Sequence, residues 1–117
     1  MKLLSLILIA VVAAEHVGFL VLEMFLWDGP VGRKVFRLSS MAAAATKPLA
    51  ANQGLYNGFL ATGLVWGLIA DRFDVKMFFL TCVIVAGVFG AATVSRRILL
   101  VQAVPALLAI AAVLAAG

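Results

Sequence analysis

Three ionisable side chains share one apolar run. Glu15 and His16 stand side by side near the middle of Leu3–Trp27, and Glu23 follows seven residues after His16. At about 1.5 Å per residue, that run is long enough to cross a bilayer core of about 30 Å. An ionisable group at such depth costs on the order of 2.5–3.5 kcal/mol by insertion scales, so a span carrying three is expected to use them. A carboxyl beside an imidazole in apolar surroundings can carry a proton, hold a cationic solute, or work as an acid–base pair. His16 and Glu23 lie on one stripe of the helix, while Glu15 is turned by about 100° onto the neighbouring face.

A second polar set lies in Ala51-Asn52-Gln53-Gly54-Leu55-Tyr56-Asn57-Gly58. Carboxamides in hydrocarbon are costly unless each finds a partner. Asn52 and Tyr56 are four residues apart, as are Gln53 and Asn57, so they form two adjacent polar stripes. The stripes read either as the selective lining of a binding site or as hydrogen-bonding glue between helices. The two carrying segments run antiparallel, which brings Glu23 level with the start of the second polar set. A hydrogen bond from Asn52 or Gln53 to Glu23 is therefore predicted, with Asn57 nearer the level of Glu15 and His16. Thr93 and Gln102 fall in the same half and are candidates for the pocket edge. The other half is mainly apolar, with Thr62, Thr81 and Cys82 as mild exceptions. The expected shape is a one-sided polar funnel closed by an apolar plug. An open channel would need polar lining throughout or a constriction that can dewet.

Metal chemistry has little support. Glu15, His16 and Glu23 would be the only ligand set, with no second histidine and no cysteine pair,. Haem through His16 has nothing else to specify it. No cofactor is predicted. No serine, cysteine or lysine nucleophile arrangement is present, and a lone Cys82 cannot form a disulfide within the chain,.

The elements that must position these groups follow from composition. Of 117 residues, 66% are hydrophobic and only 12% charged, against about a quarter charged in a soluble domain. Four apolar segments, about Leu3–Trp27, Leu49–Ala70, Val75–Val94 and Ile98–Ala116, are each near the ~20 residues a span requires. The expected fold is all-α: a polytopic membrane protein with four transmembrane helices in an antiparallel bundle, a single domain over residues 1–117. The first segment is too long and too polar inside for a cleaved signal, whose apolar region is only about 7–15 residues.

In the first connection, Asp28-Gly29-Pro30 signals a turn. Ser39 or Ser40 is a candidate cap for a short helix through Met41–Thr46, and Pro48 suits the opening turn of the second span. The Ala42–Ala45 stretch either lies at the interface or leads straight into that span. The first and third loops carry Arg33, Lys34, Arg37, Lys47, Arg96 and Arg97, against Lys2, Arg72 and Lys76 on the opposite side. The positive-inside rule then puts loops one and three in the cytoplasm and both termini outside, in the cell membrane, for a bacterium the inner membrane. The net charge of +4 resides in short loops and reports topology, so no nucleic-acid partner is expected.

Small residues recur four apart: Gly54/Gly58 and Gly63/Gly67 in the second span, Ala86/Gly90 and Gly87/Ala91 in the third. Such pairs let helices approach closely in lipid. The second span should be packed on two sides, and the surplus of small-residue faces predicts a homodimer.

Three stretches carry a family resemblance: Glu15-His16 with Leu22-Glu23-Met24-Phe25, then Ala51 to Leu60, then Gly90-Ala91-Ala92-Thr93-Val94 followed by Gln102 and Pro105. Over essentially the whole chain the sequence resembles the bacterial and fungal membrane family numbered thirteen-hundred-and-four among the domains of unknown function. The resemblance implies a small four-span integral membrane protein and supplies no reaction or ligand. More loosely, the length and the glutamate in the first span are similar to small multidrug resistance transporters. His16, Glu23 and the Asn52–Asn57 amides have no counterparts there, and that similarity is an analogy.

Taken together, these residues suggest proton-linked binding or transport of a small polar or cationic solute. Glu15 and Glu23 would bind charge, His16 would shuttle protons, and Asn52, Gln53, Tyr56 and Asn57 would select. Two alternatives stay open: a membrane-embedded enzyme acting on a lipid-like substrate, and a structural partner of another membrane protein.

Overall fold

Apolar runs that meet no water must close their backbone hydrogen bonds on themselves, and helices do so within one segment. The computed structural model describes residues 1–117 and contains helices and no strand. The order is α1 Lys2–Met24, α2 Pro30–Phe36, α3 Ser40–Ala70 and α4 Phe73–Thr93; a π-helical turn, Leu99–Ala103, then runs into α5 Val104–Ala116. Three segments are long and apolar enough to cross a membrane: α1, α4 and Leu99–Ala116. The fourth long helix, α3, has 31 residues, about 46 Å of rise. It is the least apolar of the four because Asn52, Gln53 and Asn57 fall within it. The chain is a small all-α membrane protein.

The chain divides into two compact units. The first comprises Met1–Ala14 and Leu60–Gly117. Its core is Ile9, Val12 and Ala13 of α1, Leu64 of α3, Leu80 and Val83 of α4, and Ala106, Ala109 and Val113 of α5. Small side chains set the helix spacing. A Cβ on Gly87 would come 2.9 Å from the backbone nitrogen of Ala103, and one on Gly63 would meet the Phe79 ring at 2.3 Å. The π turn precedes Pro105, which lacks the N–H that an α-helix would direct at the Val101 carbonyl. Widening the helix there accommodates both the missing donor and the ring. Large apolar side chains such as Phe78 and Phe89 stay exposed, as helices facing lipid require.

Between α3 and α4 the chain reverses through Asp71, which adopts the left-handed conformation (φ 49°). The Arg72 N–H then reaches the Gly67 carbonyl at 3.2 Å, closing the end of α3 in the Schellman manner. That geometry presents the Asp71 carboxylate to two lysines, Lys2 Nζ at 2.7 Å and Lys76 Nζ at 2.8 Å. Lys76 lies one turn inside α4 and is 6% exposed. A cleft of about 180 Å³ opens among Lys2, Ser5, Asp71, Phe73, Lys76 and Val113.

The second unit is Glu15–Phe59. It contains the end of α1, all of α2 and the first part of α3.

Three boundaries correct the sequence reading. α1 stops at Met24 rather than Trp27, because Trp27 turns to bond Thr46. α3 starts at Ser40 rather than Leu49: Ser39 Oγ accepts the Ala42 N–H at 3.1 Å, and the helix runs on through Pro48. The separate short helix expected over Met41–Thr46 is therefore the first turns of α3, as one of the two readings of Ala42–Ala45 had it. α4 begins at Phe73 and ends at Thr93 instead of spanning Val75–Val94, since Arg72 already has the extended backbone of a helix cap.

Two outcomes are expected. Gly87→Leu would force α4 from α5 and lower stability by roughly 1–3 kcal/mol, whereas Gly18→Leu, where nothing lies within 4 Å of the added carbon, would leave the detergent melting temperature near wild type. Equal melting of the two variants would contradict the packing. Second, the hydrogen bonds from Lys2 and then Lys76 pull the Asp71 carboxyl from an ordinary 3.8 down to about 2. A folded value below the unfolded one stabilises the fold above about pH 4 and loses that contribution as pH falls toward 2. Asp71→Asn keeps the left-handed turn and removes the charge. It should melt below wild type at pH 7, with the gap closing in acid; a gap constant with pH would show that the clasp is not electrostatic.

Candidate functional site

The site is assembled by close approach of the end of α1 to the first part of α3. Gly54 and Gly58, four apart on one stripe of α3, have no side chain to hold α1 off. A Cβ on Gly54 would come 2.6 Å from Met24 Cγ and 3.1 Å from Glu23 Cβ, and one on Gly58 would come 2.7 Å from Leu20 Cδ1. The residue before each glycine then flanks the contact, and both flanking residues are carboxamides. Gln53 Nε2 donates to Glu23 Oε2 at 2.6 Å, and Asn57 Nδ2 donates to Glu23 Oε1. Glu23 is 3% exposed and Asn57 is buried. The carboxyl group is thus gripped at both oxygens by side chains one helical turn apart.

The predicted contact from Gln53 to Glu23 is present. Asn52, the alternative donor, is not part of it: Asn52 and Tyr56 form the adjacent stripe, and both are exposed. A stripe advanced by one residue is rotated by about 100°, which carries Asn52 and Tyr56 off the face that meets α1. Tyr56 instead lies against Phe59, with ring centroids 5.9 Å apart.

Glu15 and His16 behave differently from Glu23 and from each other. His16 is fully enclosed, with Phe19 edge-on at 5.1 Å. Glu15 is half-buried, and its Oε1 is shut off from solvent without a hydrogen-bond partner. Glu15, His16 and Glu23 do not converge as a metal-ligand set, because Glu23 lies about 10 Å along the axis from His16 and Glu15 is turned by about 100° from it. Thr93 and Gln102 belong to the other unit; the Thr93 hydroxyl donates to the Phe89 carbonyl of its own helix at 2.7 Å, and Gln102 lies in the π turn.

The first connection is pinned to α3 in ways the sequence reading did not anticipate. Trp27 Nε1 donates to Thr46 Oγ1 at 3.0 Å, and Thr46 Oγ1 donates to the Ala42 carbonyl at 2.7 Å. Lys47 pairs with Asp28 at 3.1 Å, and its hydrogen bond holds the Asp28 carboxyl below the usual range. α2 packs so tightly at Gly32 that a Cβ would lie 2.0 Å from the Leu26 carbonyl oxygen. Also missed was the pairing of Lys2 and Lys76 with Asp71, three residues read only as loop charges of the opposite side. The signal was present: a lysine one turn inside an apolar helix requires an acidic partner, and Asp71 lies five residues before it.

The small-residue pairs are used within the chain. Gly54 and Gly58 meet α1, Gly63 and Gly67 meet α4, Gly87 meets the π turn, and Gly90 meets Ile98. α3 is packed through two glycine faces, as predicted.

Residues 10–114 match the family described as protein of unknown function (DUF1304), and the chain belongs to it. Lys2 and Ser5 of the α1 start lie outside the matched residues. The chain is also similar to the uncharacterized protein YpaA of Lactococcus lactis subsp. lactis (strain IL1403), with 27% identity over 114 residues, 94% of this chain and 96% of that one. No solved structure matches it.

Removing the Glu23 carboxylate would leave two amides without their acceptor, one of them buried. Glu23→Ala is expected to lower stability by about 1–3 kcal/mol, and Glu23→Gln, which keeps one acceptor oxygen, by less. Thermal unfolding in detergent checks the order; an alanine variant as stable as wild type would show that the clasp contributes nothing.

Proposed function

We propose that the protein binds a small cationic solute in exchange for a proton at Glu15, in the cell membrane with loops one and three cytoplasmic and both termini outside. The observation that carries this reading is the Glu15 oxygen closed off from solvent with no donor. In an apolar helix such an oxygen gains its missing partner from a proton or from a cation, and competition between the two couples proton and solute.

The clasp supports a division of labour. Glu23 has both oxygens occupied, so its part is to position the end of α1 against α3, while Glu15 remains available. His16, enclosed one residue along, is the candidate proton relay. Asn52 and Tyr56, exposed on the stripe beside the clasp, are candidates for selecting the solute at its approach. A homodimer, the expected form, would find an exposed small-residue pair on α1, Ala14 and Gly18.

The test uses a lipophilic cation as probe. Protein reconstituted in liposomes with an entrapped pH dye would be exposed to tetraphenylphosphonium. Wild type should show a proton movement that saturates with the cation, Glu15→Gln should reduce it by about tenfold or more, as expected when the group exchanging the proton is removed, and Asp71→Asn should retain it. Equal signals in wild type and Glu15→Gln would overturn the assignment of Glu15.

A further inference from the structure

We propose that α2 is an interfacial helix whose basic flank binds the phosphate groups of anionic phospholipids. α2 begins six residues after Met24, the last residue of a 23-residue helix long enough to cross a membrane. That helix already uses about 34 Å of rise, so the residues that follow it emerge at the boundary between acyl chains and water. The aromatic pair there suits that depth, Trp27 against Phe36 with centroids 4.6 Å apart, since aromatic rings with a polar edge favour the headgroup level.

The faces of α2 are sorted accordingly. Gly32 and Phe36 turn inward, Gly32 against the Leu26 and Trp27 carbonyls. At about 100° per residue, Val31 and Val35 fall together on one outward flank, and both are exposed. Arg33 and Lys34 fall on the other flank, and Arg37 follows as the left-handed cap of the helix. None of the three is in an ion pair, whereas the nearby acid, Asp28, is taken by Lys47. Arg33 Nε is also shut off from solvent without an acceptor. Three unpaired cations beside an apolar flank, on a helix lying in the interface, match a surface that offers phosphates above and acyl chains below. Each guanidinium carries terminal N–H groups in the planar fork that phosphate oxygens accept.

The test follows Trp27, which Trp66→Phe leaves as the sole tryptophan. Full-length protein is placed in phosphatidylcholine bilayers containing a minor fraction of phosphatidylglycerol, with one or the other lipid brominated at equal mole fraction. Brominated phosphatidylglycerol should quench Trp27 about threefold more or better, the order of preference that a few adjacent cations confer, and the preference should fall at high salt. Arg33→Gln/Lys34→Gln/Arg37→Gln should abolish it, the exposed single change Lys34→Gln should weaken it, and Arg96→Gln/Arg97→Gln should leave it intact. Equal quenching by the two lipids, or a preference that survives the triple change, would overturn the proposal. Millimolar inorganic phosphate should not compete; if it removes the preference, the site serves free phosphate and the lipid assignment is wrong.

Discussion

Absence of water in the hydrocarbon core is the constraint on which this structure depends. A polar group that enters must find its partner on the chain or in a ligand. The Glu23 carboxylate meets that condition through Gln53 and Asn57, Lys76 through Asp71, and Thr93 through a carbonyl of its own helix. Glu15 is the exception, and for that reason it is the residue to which a function can be attached. Its adjacent neighbour His16 is fully enclosed, so two side chains that look equivalent in the sequence stand in different environments.

Glycine is the means by which the condition is met. Helices in lipid gain little from burying apolar surface, because the solvent is equally apolar, and they associate through close packing and polar contacts. Gly54 and Gly58 bring α3 near enough to α1 for carboxamides, with short reach, to grip a glutamate from the opposite helix. Gly67 works similarly beside Lys76, where an added carbon would come 3.0 Å from Lys76 Cγ. Packing and electrostatics are therefore coupled at both places. An intrusion at either glycine would also separate the charged or polar pair that the close approach creates.

The two polar clusters differ in the chemistry they permit. Asp71 is exposed and held by two lysines, so its charge is fixed and its role is to join α1, α3 and α4 within the first unit. Glu23 is buried and held by neutral donors, which satisfy both of its oxygens. Around the clasp, the first connection is made rigid by the Trp27–Thr46 bond and the Asp28–Lys47 pair, leaving Arg33 and Lys34 of α2 and its cap Arg37 outside any ion pair. Belonging to the family DUF1304 adds no chemistry to this picture, so the functional reading rests on the side chains.

By itself the sequence determined the class, the apolar segments, the antiparallel pairing of the first with the second, and the contact of Glu23 with the amide motif. Each follows from length, hydropathy or 3.6-residue periodicity, which are local properties. Tertiary structure decided which amide stripe meets Glu23, because a rotation of about 100° between Asn52 and Gln53 selects one stripe and strands the other. It also decided that α3 starts at Ser40 and runs through Pro48, since the contacts of Trp27 and Asp28 in the first connection with Thr46 and Lys47 of α3 hold those turns in place. The partner of Lys76 and the destinations of the glycine faces were likewise settled only in three dimensions. Small-residue spacing announces a close contact without naming the surface that fills it, and a charge inside an apolar run announces a partner without saying which helix supplies it.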